Sequence, residues 1–168
     1  MDNSSKSIKK VDDASKQFII DLLAGDKTHG FDIDSIYFYR GTWYVFEYLK
    51  CENEHMTPKS SDPKFYPYNC KKFYSLYTIT KQLNGRLFLV NYSTRKEDMD
   101  EVKVMEVLDF DYDKAKAYSS KVHKGAYEYM RLRTKNYTRA KFSSKLRKIN
   151  MESTIPTLFG EKESKDEV

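Results

Sequence analysis

The sequence has few of the features that mark secreted or membrane proteins. No apolar run approaches the roughly 20 residues that a membrane-spanning helix needs. The N-terminal segment, residues 1–16, mixes acidic, basic and polar residues and has no apolar signal-peptide core. We therefore expect an intracellular, cytoplasmic protein that does not contact a membrane.

Cysteine and histidine are also scarce. Two cysteines, Cys51 and Cys70, are too few for a disulfide framework and for a four-cysteine zinc site. A zinc site that combines both cysteines with two of the three scattered histidines is conceivable, but the spacing does not favour it. Buried, unreactive thiols are the simpler interpretation.

What the chain does have is the composition of a globular protein with an uneven charge distribution. Its 168 residues are 39% hydrophobic and 33% charged, which suits one domain with a sizeable core. Between Lys114 and Lys148 there are twelve Lys or Arg residues and one acid, Glu128. Such a block of one charge indicates an anionic polymer as partner, because solvated Lys-rich surfaces usually include Glu as well.

Hydrophobic periodicity and turn residues indicate a mixed α/β fold. The predicted elements, in chain order, are helix 12–23, strands 33–39 and 43–49, helix 70–83, strands 86–93 and 103–110, and helices 114–130 and 138–149. The helix between strands 43–49 and 86–93 predicts a crossover connection. Residues 52–69, with three prolines and no periodicity, predict a long loop.

The strand pair carries carboxylates that are costly to bury beside a sheet. If Arg40 and Gly41 form the turn, Asp34 lies directly opposite Glu47; if the turn is shifted by one residue, Glu47 lies opposite Ile36. In both registers Asp32, Asp34 and Glu47 project from one face. Converging carboxylates repel unless a cation lies between them, and such oxygen ligands suit Mg²⁺ or Mn²⁺.

These residues resemble the core of the PD-(D/E)XK nuclease superfamily. In that family an acidic residue begins the first strand of a hairpin, and the second strand ends in an acid-x-Lys motif. Here "DID" supplies Asp34, "FEYLK" supplies Glu47 and Lys50, and "CKKFYSLYTITKQL" and "RLFLVNYS" resemble the next helix and strand. The resemblance covers about residues 12–95. It implies a restriction-endonuclease-like mixed β-sheet flanked by helices, followed by a basic helical C-terminal extension.

The resemblance also implies metal-dependent hydrolysis of DNA phosphodiester bonds. Asp34, Glu47 and Lys50 would be catalytic, with Asp34 and Glu47 as Mg²⁺ or Mn²⁺ ligands and Asp32 and Glu52 as further ligands. Gln17 and Gln82 would contact these ligands without binding the metal themselves. The predicted nucleic-acid-binding residues are Lys124, Arg131, Arg133, Lys135, Arg139, Lys141, Lys145, Arg147 and Lys148.

The lysine departs from the family pattern, because Lys50 follows Glu47 by three residues instead of two. In a regular strand it would point to the opposite face. A β-bulge at Tyr48-Leu49 would return it to the carboxylates. Otherwise Lys72 or Lys81 from the following helix would supply the cation, or the site has lost its chemistry.

The sequence therefore leaves two functions open. The first is a nuclease with 1–10 as a flexible tail, 11–113 as the nuclease-like core, 114–150 as its basic helical extension and 151–168 as a second tail. The second is an inactive nuclease-like module, such as a phage or mobile-element regulatory factor, that binds DNA or a protein. A homodimer is compatible with the family, many of whose members pair to cut two strands.

Overall fold

The computed structural model describes residues 14–24, 32–51, 53–119 and 128–154. The chain divides into two compact units, residues 1–32 and 33–168. In the first unit, helix α1 spans Ala14–Leu23 and ends where Ala24 takes a left-handed conformation, φ 46°. Among the residues that the structure describes, no helix has the length and apolar character needed to cross a bilayer.

The second unit is a mixed five-stranded sheet with helices on both faces. Its elements are β1 (Ser35–Tyr39), β2 (Thr42–Lys50), α2 (Cys70–Gln82), β3 (Arg86–Tyr92), β4 (Glu101–Phe110), α3 (Tyr112–Ser119), β5 (Met130–Thr138) and α4 (Arg139–Met151). The strand order is β1-β2-β3-β4-β5, with β2 and β3 parallel and every other pair antiparallel. The predicted α/β class and the helical crossover from β2 to β3 are confirmed.

Alternation along β2 assigns its side chains to two differently covered faces. Val45 and Leu49 lie on the face covered by α2, hereafter the α2 face, where a large core includes Phe73 and Leu76. Phe46 lies on the other side, hereafter the α4 face. A smaller core is found there, with the partly buried α4 side chains packed against it: Phe142, Leu146 and Ile149.

Close packing also explains a glycine at the end of α2. A Cβ atom added to Gly85 would lie 2.8 Å from the carbonyl oxygen and 2.9 Å from the Cβ of Trp43. The chain therefore needs a residue without a side chain where it leaves α2 and enters β3.

The prediction of a purely helical C-terminal extension is wrong. Met130–Thr138 forms an edge strand that pairs with β4 over its whole length, with a bulge between Val107 and Asp109. Only Met130, Leu132 and Tyr137 contribute large apolar side chains to this strand, so its alternation is weak in a sequence dominated by cations. Pairing with β4 decides the structure, which local periodicity cannot reveal. The predicted final helix, by contrast, is found as α4.

Candidate functional site

The turn of the hairpin sets the position of the two central carboxylates. Arg40 and Gly41 both have positive φ values, 50° and 75°, as a type I′ turn requires. The resulting register pairs Ser35 with Phe46 at the start of β1. Asp34 therefore directly precedes the first pair, and the turn at Arg40 and Gly41 is the first of the two predicted alternatives.

Glu47 is a buried carboxylate held by a lysine from the crossover helix. Its residue is 4% exposed, and its Oε1 lies 2.7 Å from Nζ of Lys72 in the first turn of α2. A buried charge is tolerated when an opposite charge compensates it, and the N-terminal end of a helix is itself favourable for an anion. Lys72 is one of the two α2 lysines that the sequence offers as the cation of the site. The other, Lys81, is not the partner of Glu47 in this contact.

Asp34 has a structural contact of its own. One oxygen of this exposed carboxylate, Oδ2, accepts a hydrogen bond of 2.7 Å from the backbone N–H of Tyr48. That N–H belongs to the part of β2 that extends past the end of β1. The Asp34 side chain thus takes the place of a further strand residue and covers the exposed edge of β2.

The expectation that a bulge brings Lys50 to Glu47 is wrong. The parallel register with β3 runs without interruption from Glu47↔Leu89 to Lys50↔Tyr92. Regular alternation then places Lys50 on the α4 face, opposite to Glu47. Lys50 cannot act together with the two carboxylates in this conformation, and Lys72 is the cation beside Glu47.

The residues that the structure describes do not assemble a divalent-cation site. Within the described ranges no group of three His, Cys, Asp or Glu side chains is close enough to hold a metal ion. Glu47 is already paired with Lys72, and Asp34 uses one oxygen for the Tyr48 backbone. Glu52 lies outside the described residues. Both cysteines are buried free thiols, so the zinc alternative finds no support either.

Three further predicted residues of the acidic site are described: Gln17, Asp32 and Gln82. Asp32 and Gln17 belong to the first unit, and Gln17 donates a hydrogen bond to Asp21 on its own helix. Gln82 is the last residue of α2, ten residues from Lys72 and thus about 15 Å along the helix axis. It is therefore not a neighbour of Glu47.

The predicted nucleic-acid-binding residues form an exposed basic surface on β5 and α4. Lys124 lies outside the described residues, and the other eight are all exposed. Arg133 pairs with Glu106 at 3.3 Å and Lys148 with Glu152 at 3.7 Å, while Arg139 donates to the Ser93 carbonyl at 3.2 Å. The described residues place no acid within ion-pair distance of the other five, which are Arg131, Lys135, Lys141, Lys145 and Arg147.

A buried polar cluster beneath the loop 53–69 is absent from the sequence predictions. Lys103, 8% exposed, donates from Nζ to the Ser61 carbonyl at 2.7 Å, and fully buried Asn91 donates to the same oxygen at 3.0 Å. Burial is the main reason why the pKa of Lys103 is lowered from its ordinary value. These contacts fasten the loop to β3 and β4. The only sequence signal is a polar residue, Asn91, inside an apolar strand.

Comparison with known proteins gives no relative: the chain matches no protein-family model, no curated protein and no solved structure.

Proposed function

We propose that this protein binds DNA through the basic surface of β5 and α4. The observation that carries the proposal is the set of five exposed cations on these two elements that have no described acid within ion-pair distance. Each phosphate contact releases condensed counterions, so clustered cations gain affinity for nucleic acid even without base recognition. A surface whose lysines served solubility alone would carry compensating acids along the same helix.

The test is a salt titration with a charge-matched control. The triple variant Lys141→Gln, Lys145→Gln, Arg147→Gln removes three cations from α4. The control, Lys71→Gln, Lys81→Gln, Lys96→Gln, removes the same charge from exposed positions elsewhere in the chain. Fluorescence anisotropy with labelled duplex DNA, between about 50 and 200 mM salt, measures affinity and its salt dependence.

We expect the α4 variant to bind at least about tenfold more weakly, with the log–log salt slope reduced by about 0.9 for each lost phosphate contact. The control should behave as the wild type. If both variants bound DNA equally weakly, the effect would be one of net charge and not of the α4 surface. If the wild type showed no salt-sensitive DNA binding, the proposal would be wrong.

Hydrolysis of DNA with Mg²⁺ or Mn²⁺, by a site of restriction-endonuclease-like type, is the second candidate. It is supported by one observation, the Lys72 ammonium 2.7 Å from the buried Glu47 carboxylate, one residue before the Tyr48 N–H that donates to Asp34. A positioned ammonium can stabilise the negative charge that develops on a phosphoryl group. The pair of Lys72 and Glu47 would first have to separate, because a divalent cation would compete with Lys72 for Oε1.

This candidate is tested by cleavage of plasmid DNA in the presence of Mg²⁺. We expect Glu47→Gln and Asp34→Asn to lose cleavage by about a hundredfold or more while binding is retained. Lys72→Met should strengthen Mg²⁺ binding, measured by calorimetry, whereas Lys71→Met should not. Cleavage that survives in Glu47→Gln would exclude this site as its source.

A further inference from the structure

An apolar groove lies between the sheet and α4, beside the basic surface. Its volume is about 360 Å³. Its lining combines aromatic and aliphatic side chains with an arginine and a serine: Tyr48, Tyr92, Phe142, Leu146, Arg139 and Ser143. Grooves with this chemistry bind flat, largely apolar groups that are oriented by a few polar contacts.

Aromatic side chains of the α4 face lead to this groove in a stacked series. Tyr44 stacks on Phe88 at 5.5 Å, Phe88 on Phe46 at 5.1 Å, and Phe46 on Tyr48 at 6.3 Å, all within 20° of parallel. The Arg86 guanidinium covers the Tyr44 and Phe88 end. At the other end the series stops at Tyr48, which lines the groove, and no further described ring stacks on it. A planar ring in the groove would extend the series.

A second depression lies on α4 and shares Ser143 with the groove. Its volume is about 530 Å³, and its other lining residues are Ala140, Ser144, Arg147, Lys148, Met151 and Glu152. Lys148 is paired with Glu152 at 3.7 Å, so Arg147 is the cation of this depression that can match a phosphate. Ser143 therefore borders both the aromatic groove and the depression that contains Arg147.

One cation, Arg139, lines the groove, and a second, Lys50, lies next to it. Arg139 is held at its rim by the hydrogen bond to the Ser93 carbonyl, and a guanidinium plane stacks well on bases. Lys50 lies on the α4 face and pairs with Tyr92 in the β2–β3 register, so its side chain lies beside the groove and not beside Glu47.

We propose that the groove takes one unpaired nucleobase of a nucleic acid whose backbone lies on the basic surface of α4. This inference rests on the proposed DNA binding and narrows it to single-stranded or locally opened nucleic acid. A base inside an intact duplex is stacked on both sides and cannot enter the groove, whereas an unpaired base offers its face to Tyr48 and Tyr92.

Two variants test the groove without removing a fully buried side chain. Tyr92→Leu keeps apolar bulk and removes the ring, and Ser143→Leu fills the junction from the exposed side of the helix. Tyr68→Leu, at a tyrosine that is 97% exposed on the loop, is the matched control. Circular dichroism melting verifies that each variant is folded, and Tyr92→Phe is included because it preserves the ring.

The probe is a labelled single strand of about 16 nucleotides and the duplex of the same sequence, compared by anisotropy at one salt concentration. We expect Tyr92→Leu and Ser143→Leu to weaken single-strand binding about tenfold and duplex binding by less than about twofold. Tyr92→Phe and Tyr68→Leu should bind both probes as the wild type does.

The failure of this inference is distinct from the failure of DNA binding. If the groove variants bind both probes normally, or weaken both equally, while the α4 charge variant still weakens both, the base pocket is wrong and the basic surface stands. If the wild type binds neither probe in a salt-sensitive manner, both proposals are overturned.

Discussion

Helices α2 and α4 have the same length, 13 residues, and pack on opposite faces of one sheet, yet they differ in what they bury. Four residues of α2 are buried, Cys70, Phe73, Leu76 and Thr80, whereas α4 has none. Helices in globular proteins are stabilised mainly by packing of an apolar face, so α2 is integral to the core. The thinly packed α4 has its surface available for contacts with a partner.

A helix cap and a few contacts to β1 and the hairpin turn supplement the thin packing of α4. Thr138 caps its first turn by accepting a hydrogen bond from the Lys141 N–H at 3.3 Å. Beyond its end, the Thr154 N–H donates to the Phe38 carbonyl at 2.9 Å, and Arg40 pairs with Glu152. Each such contact contributes about 1 kcal/mol or less. The comparison of the two helices shows that one sheet can have a deeply packed face and a thinly packed face.

The largest difference between the faces should be seen when one phenylalanine is truncated on each. We expect Phe73→Ala on α2 to lower the free energy of unfolding by about 3–5 kcal/mol, because a buried aromatic leaves a cavity. Phe142→Ala on α4 should cost roughly 1–2 kcal/mol, since the ring is only partly buried. Urea denaturation monitored by circular dichroism measures both. Equal losses would contradict the division into a deeply packed and a thinly packed face.

The ion pair on the α2 face gives the next largest effect. Lys72→Met leaves the Glu47 carboxylate buried without its cation, and we expect a loss of about 2 kcal/mol, less than for a fully buried pair because the lysine side chain is 30% exposed. Lys71→Met, at the exposed neighbouring position, should change stability by less than about 0.5 kcal/mol. The double variant Glu47→Gln, Lys72→Met should recover part of the loss. Additive losses in the double variant would show that the two side chains are not coupled.

Close packing around Gly85 predicts a further effect at the end of α2. Gly85→Ala places a methyl group against the backbone of Trp43, which cannot rotate away, and we expect a loss of about 1–3 kcal/mol. Ser143→Ala on the outer side of α4 should be nearly neutral, because Ala is the better helix former. Thermal denaturation compares the two. An unchanged melting temperature in Gly85→Ala would mean that the two backbones are farther apart than described.

The sequence predicts the hairpin and the crossover well because their signals are local. A two-residue turn with Gly41 and an aromatic, β-branched strand on each side predict the hairpin and limit its pairing to two registers, of which the structure has the one with Arg40 and Gly41 in the turn. The same reasoning identifies Glu47 as a carboxylate that needs a partner, since it lies inside an apolar strand. It cannot decide between a metal ion and Lys72, because that choice depends on where the first turn of α2 lies relative to β2.

Long-range contacts account for what the sequence does not predict. The edge strand β5 has a composition typical of a solvated helix, and only its pairing with β4 reveals it. Lys103 and Asn91 both donate to the carbonyl of Ser61, which is 42 and 30 residues away in the chain. No periodicity connects such positions, so the fastening of the loop 53–69 becomes visible only in three dimensions.

The smallest predicted effect is the pH dependence of the free energy of unfolding that Lys103 causes. The lowered pKa of Lys103 determines the sign of this pH dependence. Burial is the main cause of the shift; the Asp62 carboxylate opposes it, Lys64 adds to it and Cys51 opposes it. An unfolded lysine has a pKa of about 10.4, so between the folded-state pKa and that value the unfolded chain binds more protons. The free energy of unfolding contributed by this residue therefore rises with pH in that window.

The measurement is the difference in the free energy of unfolding between wild type and Lys103→Met across alkaline pH. Burial also raises the pKa of the Cys51 and Cys70 thiols, which acts in the opposite direction. The effect of Cys70 cancels in the difference because both proteins contain it, and both proteins carry Cys51→Ala because Cys51 interacts with Lys103. We expect the free energy of unfolding of the wild type to rise relative to that of Lys103→Met as the pH rises through this window. Val107→Ala, a buried substitution without a titrating group, should differ from wild type by a constant amount. A constant difference for Lys103→Met as well would mean that its ammonium is solvated, and that the loop is held over the α2 face less tightly than its contacts indicate.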